Sequence, residues 1–291
     1  MSVRLVVLLA VLGCAIDAAF LMMPKLLTRR GVTTRRTRFG VALVFDGESV
    51  EGDEVRMLNV NGTFQSVSYT AAGRQCDLAC LYHQYFAEVI DVAGLRAGGG
   101  EGLSALVIGG GGFSFPKWMV SSLPSAQVEV AEIDPKIIEI AREFFFLDEL
   151  ERRTHAERDG RLRVSCCDGW ARLAAAGERW GLVVNDAFSG KRPLGPLGTV
   201  TGARAIREHL TDDGIYLANL ISPMEGRRSR VMRETLAAFG REFPYAYLIP
   251  ERPEEPRRAG DNTLVASMRP LGIAARYRVG ATGATVGGSV D

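Results

Sequence analysis

Asp186 lies in the run Val183-Val184-Asn185-Asp186-Ala187-Phe188-Ser189-Gly190, just past a short apolar segment. A carboxylate so placed can accept a proton from a bound nucleophile or orient its lone pair. Two further acids follow apolar runs: Asp168, in Cys166-Cys167-Asp168-Gly169, and Glu132, which closes Val128-Glu129-Val130-Ala131. Upstream, Gly109-Gly110-Gly111-Gly112 follows Ala105-Leu106-Val107-Ile108. Glycines at a strand end let backbone approach a ligand closely, because they lack a Cβ and tolerate positive φ. Glu132 falls twenty positions after Gly112, where a dinucleotide or nucleoside site places the acid that accepts ribose hydroxyls. The competing roles are helix caps for Asp168 and Asp186 and a surface carboxylate for Glu132.

The elements that must position these groups are an alternation of strands and helices. Strands are predicted at Ala105–Ile108, Val128–Ile133, Leu162–Cys166, Leu182–Val184, Ile215–Leu220, Tyr245–Ile249 and Asn262–Ser267. Helices are predicted at Phe115–Leu123, Pro135–Phe146, Ala203–Leu210 and Arg228–Phe239. Such alternation with short connections specifies a parallel sheet with helices on both faces, a Rossmann-like α/β domain over residues 100–270. The four acid or glycine sites then share the carboxyl edge, where open α/β sheets bind ligands. Before this domain, Phe39 to Tyr69 carries β-rich runs broken by Asp46-Gly47, Glu51-Gly52 and Asn61-Gly62, turn signals that predict a small antiparallel β unit. Apolar spacing predicts an amphipathic helix over Cys76–Val92, completing a unit of residues 38–95.

In combination and order, LVIGGGGFSFPKW, VEVAEIDPKIIEIAREFF, CCDGWARL, VVNDAFSG and LTDDGIYLANL resemble the successive motifs of the spermidine synthase family, the polyamine aminopropyltransferases. Gln65 in NGTFQS and Tyr82-His83 in LYHQYF resemble the family's glutamine-bearing β unit and Tyr-His pair. The resemblance covers roughly Phe39 to Met268. It implies an S-adenosylmethionine-dependent methyltransferase fold with a small N-terminal β domain, and decarboxylated S-adenosylmethionine as donor. It assigns ribose binding to Glu132 and adenine binding to Asp168 with Gly169. Gly109, Gly110 and Gly111 would lie against the nucleoside, Asp186 would be the catalytic aspartate, and Gln65, Tyr82 and His83 would line the amine-acceptor side.

Three departures bear on the acceptor. Gly112 stands where the family carries an aspartate, Gln84 where it carries a glutamate, and Ser189-Gly190 where it carries a second acid. Holding ammonium groups in a partly dry pocket without opposing charge is costly, so ordinary putrescine recognition is disfavoured. Three readings stay open beside aminopropyl transfer: methyl transfer from intact S-adenosylmethionine, nucleoside binding without turnover, and an NAD-dependent dehydrogenase. The last lacks the spaced third glycine of its fingerprint.

With 291 residues, 47% apolar residues and a formal charge of +1, the chain can bury a large core but shows no basic field for nucleic acid. The five cysteines form no paired framework and the three histidines no ligand spacing, so neither disulfides nor a metal are expected. Leu5 to Met23 is nearly as long as a membrane span and is broken only by Asp17. It reads as a membrane anchor, a cleaved signal or a buried helix; the arginines that follow it would keep the remainder cytoplasmic. The small, polar tail at 280–291 is expected to be disordered, and the resemblance is compatible with a homo-oligomer.

Overall fold

The computed structural model describes residues 31–175, 177–187 and 194–283. The hydrophobic segment 5–23, Ser189-Gly190 and residues 284–291 of the tail lie outside the described residues. Among the described residues no helix is long and apolar enough to cross a membrane.

A four-stranded antiparallel sheet opens the chain: β1 (Thr33–Thr37), β2 (Gly40–Glu48), β3 (Glu54–Val60) and β4 (Thr63–Tyr69), paired in that order. Asn61 and Gly62 both take positive φ, 51° and 84°, the geometry of the tight turn that matches strand twist. The Asp46-Gly47 turn expected from sequence is not formed. Both residues lie inside β2, where Arg56 of β3 grips both carboxylate oxygens of Asp46 at 2.7 and 2.9 Å and Gly47 makes room for Met57. One face of the sheet buries Ala42, Val44, Leu58 and Val60 against Ile137, Ile140 and Phe145.

Helix α1 (Leu81–Val92) follows. It is shorter than the spacing predicted: Cys76 and Leu78 pack onto the core from a turn segment, so their burial mimics a helical period. Next come β5 (Ser104–Ile108), α2 (Ser114–Ser122), β6 (Gln127–Glu132), α3 (Pro135–Phe144), α4 (Leu147–Thr154), β7 (Leu162–Cys166), α5 (Gly169–Ala174) and β8 (Trp180–Asn185). The chain ends with α6 (Val200–Glu208), β9 (Leu210–Ser222), α7 (Arg230–Glu242), β10 (Tyr245–Ile249) and β11 (Gly260–Ser267). The helix predicted over Pro135–Phe146 is α3, two residues shorter, and Phe146 at φ 63° starts a further helix, α4, that was not predicted. The short helix α5 is an addition to the predicted elements.

The seven strands from β5 onward form one sheet in the order β10-β11-β9-β8-β5-β6-β7. It is mixed and not wholly parallel, because β11 runs antiparallel to both β10 and β9. Alternation along each strand feeds two cores. Ala105, Val107, Val130, Leu182, Val184, Leu217 and Val265 face Phe86 and Ile90 of α1 and Phe115 and Met119 of α2. Leu106, Ile108, Val183, Tyr216, Leu220 and Leu264 face α5, α6 and α7. A sheet buried on both faces reads as near-continuous apolar runs, which is why these strands were visible in the sequence.

Candidate active site

Strands β7, β6, β5 and β8 are neighbours, so their carboxyl ends carry Asp168, Glu132, the glycine turn and Asp186 side by side. Backbone bonds extend the pairing past the strands: the Gly109 amide donates to the Ala131 carbonyl at 2.9 Å, and the Asp186 amide to the Ile108 carbonyl at 2.9 Å. At Gly109, φ is +91° and a Cβ would lie 2.9 Å from the backbone of Asp186 and Ala187. Only glycine lets the β5 and β8 ends close this tightly. Gly109, Gly110 and Gly111 remain partly exposed at the edge, whereas Gly112 is buried.

Glu132 is buried and already engaged. Its Oε2 accepts from the amides of Gly110 at 2.8 Å and Gly111 at 3.4 Å, and its Oε1 accepts from the Asp134 amide at 2.9 Å. Burial pushes its carboxyl above the usual range, against the pull of those amides. A carboxylate offers about four lone-pair positions, so one remains for a ribose hydroxyl. Asp168 is exposed and is the N-cap of α5, its Oδ1 accepting from the Ala171 amide at 2.8 Å. The capping role and a ligand role coexist, because capping engages one oxygen only. Gly169 beside it is buried against Ile108, where any side chain would collide. Together the glycine edge, Glu132 and Asp168 fit a nucleoside in residue type and placement.

Asp186 has 14% of its side chain exposed. Its Oδ2 accepts from the Tyr82 hydroxyl at 3.1 Å and from His83 Nε2 at 3.0 Å, both on the first turn of α1. With Asp186 as acceptor, His83 carries its hydrogen on Nε2, a tautomer assigned from this geometry. The His83 ring is stacked on Phe115 at 5.4 Å and tilted over Tyr82 at 4.1 Å, which fixes its plane. Burial, reinforced by the Asp186 charge, pushes the Tyr82 phenol well above its ordinary value, so it remains a donor. Asp186 Oδ1 is buried and has no partner among the described residues.

The structure accounts for two of the departures from the family pattern. Gln84 is exposed and its side-chain amide donates to the Leu78 carbonyl at 2.9 Å, turned toward its own loop. A Cβ on Gly112 would stand 2.7 Å from Ser66 Oγ and 2.7 Å from Phe145 Cδ1. Ser66 and Ser68 of β4 both bond Ser114 Oγ at 3.0 Å, and Ser114 donates to the Val67 carbonyl at 2.9 Å. The N-terminal sheet is thus bolted onto the glycine turn where the family's acid would project. Gln65 lies on the same strand, but it is its carbonyl that nears Gly111. Gly112→Asp is therefore expected to destabilise the protein by roughly 1–3 kcal/mol through overpacking, without gain of any amine affinity; thermal unfolding and amine titration of the variant check both halves.

Sequence reasoning missed a second set of polar groups opposite α1. Asn219 of β9 and Thr263 of β11 are directly paired across the sheet, and Asn219 Nδ2 donates to Asp261 Oδ1 at 3.0 Å. Asn219 is 5% exposed and Thr263 fully buried. Burial, then the charges of Glu251 and Asp186, push the Asp261 carboxyl up, while Asn219 pulls it down. Cys80, before α1, is pushed up to about 12 by burial and by Asp186, Asp261 and Glu251, so it is a thiol and no nucleophile. The signal was available: Asn219 interrupts Ile215-Tyr216-Leu217-Ala218, and a polar residue inside a buried strand requires a partner. Among the described residues no group of three or more potential ligands is placed to hold a metal ion. A hollow of about 260 Å³ near Gln127, Arg163 and Trp180 opens at the other end of the strands, away from these groups.

No family model matches the chain. It is 26% identical over 190 residues to the eEF1A lysine and N-terminal methyltransferase of Danio rerio, covering 60% of this chain and 26% of that protein. It is 25% identical over 137 residues to a probable polyamine aminopropyl transferase of Bifidobacterium longum, covering 46% of this chain and 28% of that one. The chain thus spans 26% and 28% of the lengths of these two relatives. Among solved structures, a probable spermidine synthase from Corynebacterium glutamicum superposes with a TM-score of 0.66 at 18% identity, over 81% of this chain and 80% of that one. The fold is spermidine synthase-like, built on the methyltransferase-type α/β frame.

Proposed function

We propose that the protein is a transferase that moves an aminopropyl group from decarboxylated S-adenosylmethionine to an amine. The observation that carries this reading is Asp186, with Oδ2 fixed by Tyr82 and His83 and buried Oδ1 left to accept. Bound at the glycine edge, the donor would supply an electrophilic carbon on a sulfonium. The chain must then deprotonate and aim the amine. Asp186 Oδ1 accepts the ammonium proton, the freed lone pair forms the new C–N bond, and the C–S bond breaks with its electron pair returning to sulfur. Tyr82 and His83 hold the carboxylate against rotation and keep it from collapsing onto a backbone donor.

Charge favours the decarboxylated donor. Near Asp186 the groups able to carry negative charge are the carboxyls of Glu251 and Asp261, while Cys80 and Tyr82 stay protonated and uncharged. The carboxylate of intact S-adenosylmethionine would face like charge there, and the aminopropyl ammonium would not. Methyl transfer is the second reading, favoured by Gly112, which leaves the glycine turn without the family's acid, and by the sequence likeness to a methyltransferase. Calorimetric titration of the chain with decarboxylated S-adenosylmethionine, intact S-adenosylmethionine and NAD is expected to show tightest binding of the decarboxylated form. Preference for the intact form would replace aminopropyl by methyl transfer, and binding of NAD alone would overturn both.

A further inference from the structure

Five buried polar side-chain atoms lack a partner among the described residues, and four of them gather on one face of the sheet: His83 Nδ1, Asp186 Oδ1, Asn219 Oδ1 and Thr263 Oγ1. The fifth, Arg161 Nη1, is a guanidinium nitrogen of a different residue outside this set. The four belong together by topology. Asn219 and Thr263 are cross-strand partners, and the neighbouring pair on the same face, Leu217 and Val265, packs in the core that holds Tyr82 and Phe86. Asp261, two residues before Thr263 on that face, carries its carboxylate to the same place, where it feels Asp186 and His83.

Buried polar atoms are nearly always satisfied, so several orphans in one place mark a site whose partner is a ligand. The ligand's chemistry follows from the orphans. Asn219 presents its carbonyl oxygen, because its amide nitrogen is committed to Asp261. Asp186 Oδ1, Asn219 Oδ1, the second oxygen of Asp261 and the Thr263 lone pairs are acceptors. Their complement is a cation with several N–H donors.

We propose that Asp261, with Asn219 and Thr263, forms the subsite that holds the non-reacting ammonium group of the acceptor while Asp186 takes the reacting one. This rests on the transferase reading above. The acids absent at Gly112, Gln84 and Ser189-Gly190 are thereby replaced by one delivered from β11, which lies two strands beyond β8 on the side away from the glycine turn. The groups facing Asp261 are Cys80, Tyr82 and His83 around the start of α1, Asp186 after β8, and Glu251, which is itself paired with Arg252 at 3.3 Å. Cys80 and Tyr82 are held protonated, so the carboxylates carry the charge that an ammonium meets. Because burial holds the Asp261 carboxyl up, diamine affinity rises with pH as that group ionises.

The test is calorimetric titration of the full chain, with and without 5′-methylthioadenosine, using 1,4-diaminobutane and 1-aminobutane as probes of equal chain length. Wild type is expected to bind the diamine roughly ten- to a hundredfold more tightly, the range of one charge-assisted hydrogen bond. Asp261→Asn, which keeps the shape, is expected to erase that preference and leave 1-aminobutane unchanged; Thr263→Val is expected to weaken the diamine severalfold. An undiminished preference in a folded Asp261→Asn, or no preference in wild type, overturns the subsite. Diamine discrimination through Asp261 in a protein that binds no nucleoside would keep the subsite and overturn the transferase.

Discussion

Asp186→Asn is expected to lower the rate of transfer by roughly a hundred- to ten-thousandfold, the range of a lost general base, while nucleoside binding stays within a few-fold of wild type. The split follows from position. Asp186 touches Tyr82 and His83 and in the proposed transfer offers Oδ1 to the acceptor, whereas Glu132, which ends β6, and Asp168, two residues past β7, are the proposed nucleoside groups and lie beyond β5. An asparagine preserves shape and one acceptor, so the fold should survive. Its amide nitrogen accepts from neither Tyr82 nor His83 Nε2, and the side chain cannot serve as a base. The deficit should shrink as pH rises toward the pKa of the amine, since a neutral amine no longer needs a base. Single-turnover rates across pH, with nucleoside titration in parallel, measure both parts. An unchanged rate would remove Asp186 from the chemistry, and an equal loss of nucleoside binding would make its role structural.

How much of this site could be read from sequence depends on how local each signal is. The carboxyl-edge residues were legible because each sits where an apolar strand meets a glycine or a helix, so Gly109, Glu132, Asp168 and Asp186 followed from strand prediction alone. The fold was legible for the same reason, since strands buried on both faces need little context. Reversal of β11 was not legible: strand direction depends on pairing with β9 and β10, which a single strand does not encode. Helix α4 was missed because its start depends on Phe146 at positive φ, and a non-glycine residue in that region leaves no compositional mark. Asn219, Asp261 and Thr263 were missed because they meet only through cross-strand register, with β9 and β11 separated in sequence by α7 and β10. The same limit applies to Gly112, whose lack of room comes from Ser66 on another sheet.

Lys117 provides the largest stability effect, again through groups distant in sequence. It is fully buried on α2, where Nζ donates to the Phe145 carbonyl at 2.6 Å and to Ser68 Oγ at 3.2 Å, with the Phe146 ring 5.5 Å away. The ammonium thus satisfies a carbonyl at the break between α3 and α4 and ties β4 to the same point, but among the described residues it meets no carboxylate. Burial pulls its pKa from 10.5 down to about 8. Between those values the unfolded chain holds the proton and the folded chain has released it, so this group makes stability rise with pH, by about 3 kcal/mol in total at about 1.4 kcal/mol per unit. Cys80 acts in the opposite sense, because its raised pKa keeps the proton in the folded state while the unfolded thiol loses it. The Lys117 contribution is therefore read as a difference. Lys117→Met removes the buried charge at nearly equal length and is expected to be most stabilised relative to wild type below pH 8. That advantage should decline by about 3 kcal/mol as pH rises to 10.5, leaving the variant below wild type by the lost bond to Phe145. Denaturant unfolding of both proteins across pH 7 to about 10.5 measures it. A difference that stays flat would mean that Lys117 is solvated or neutral throughout, and that burial of its ammonium carries no cost in this fold.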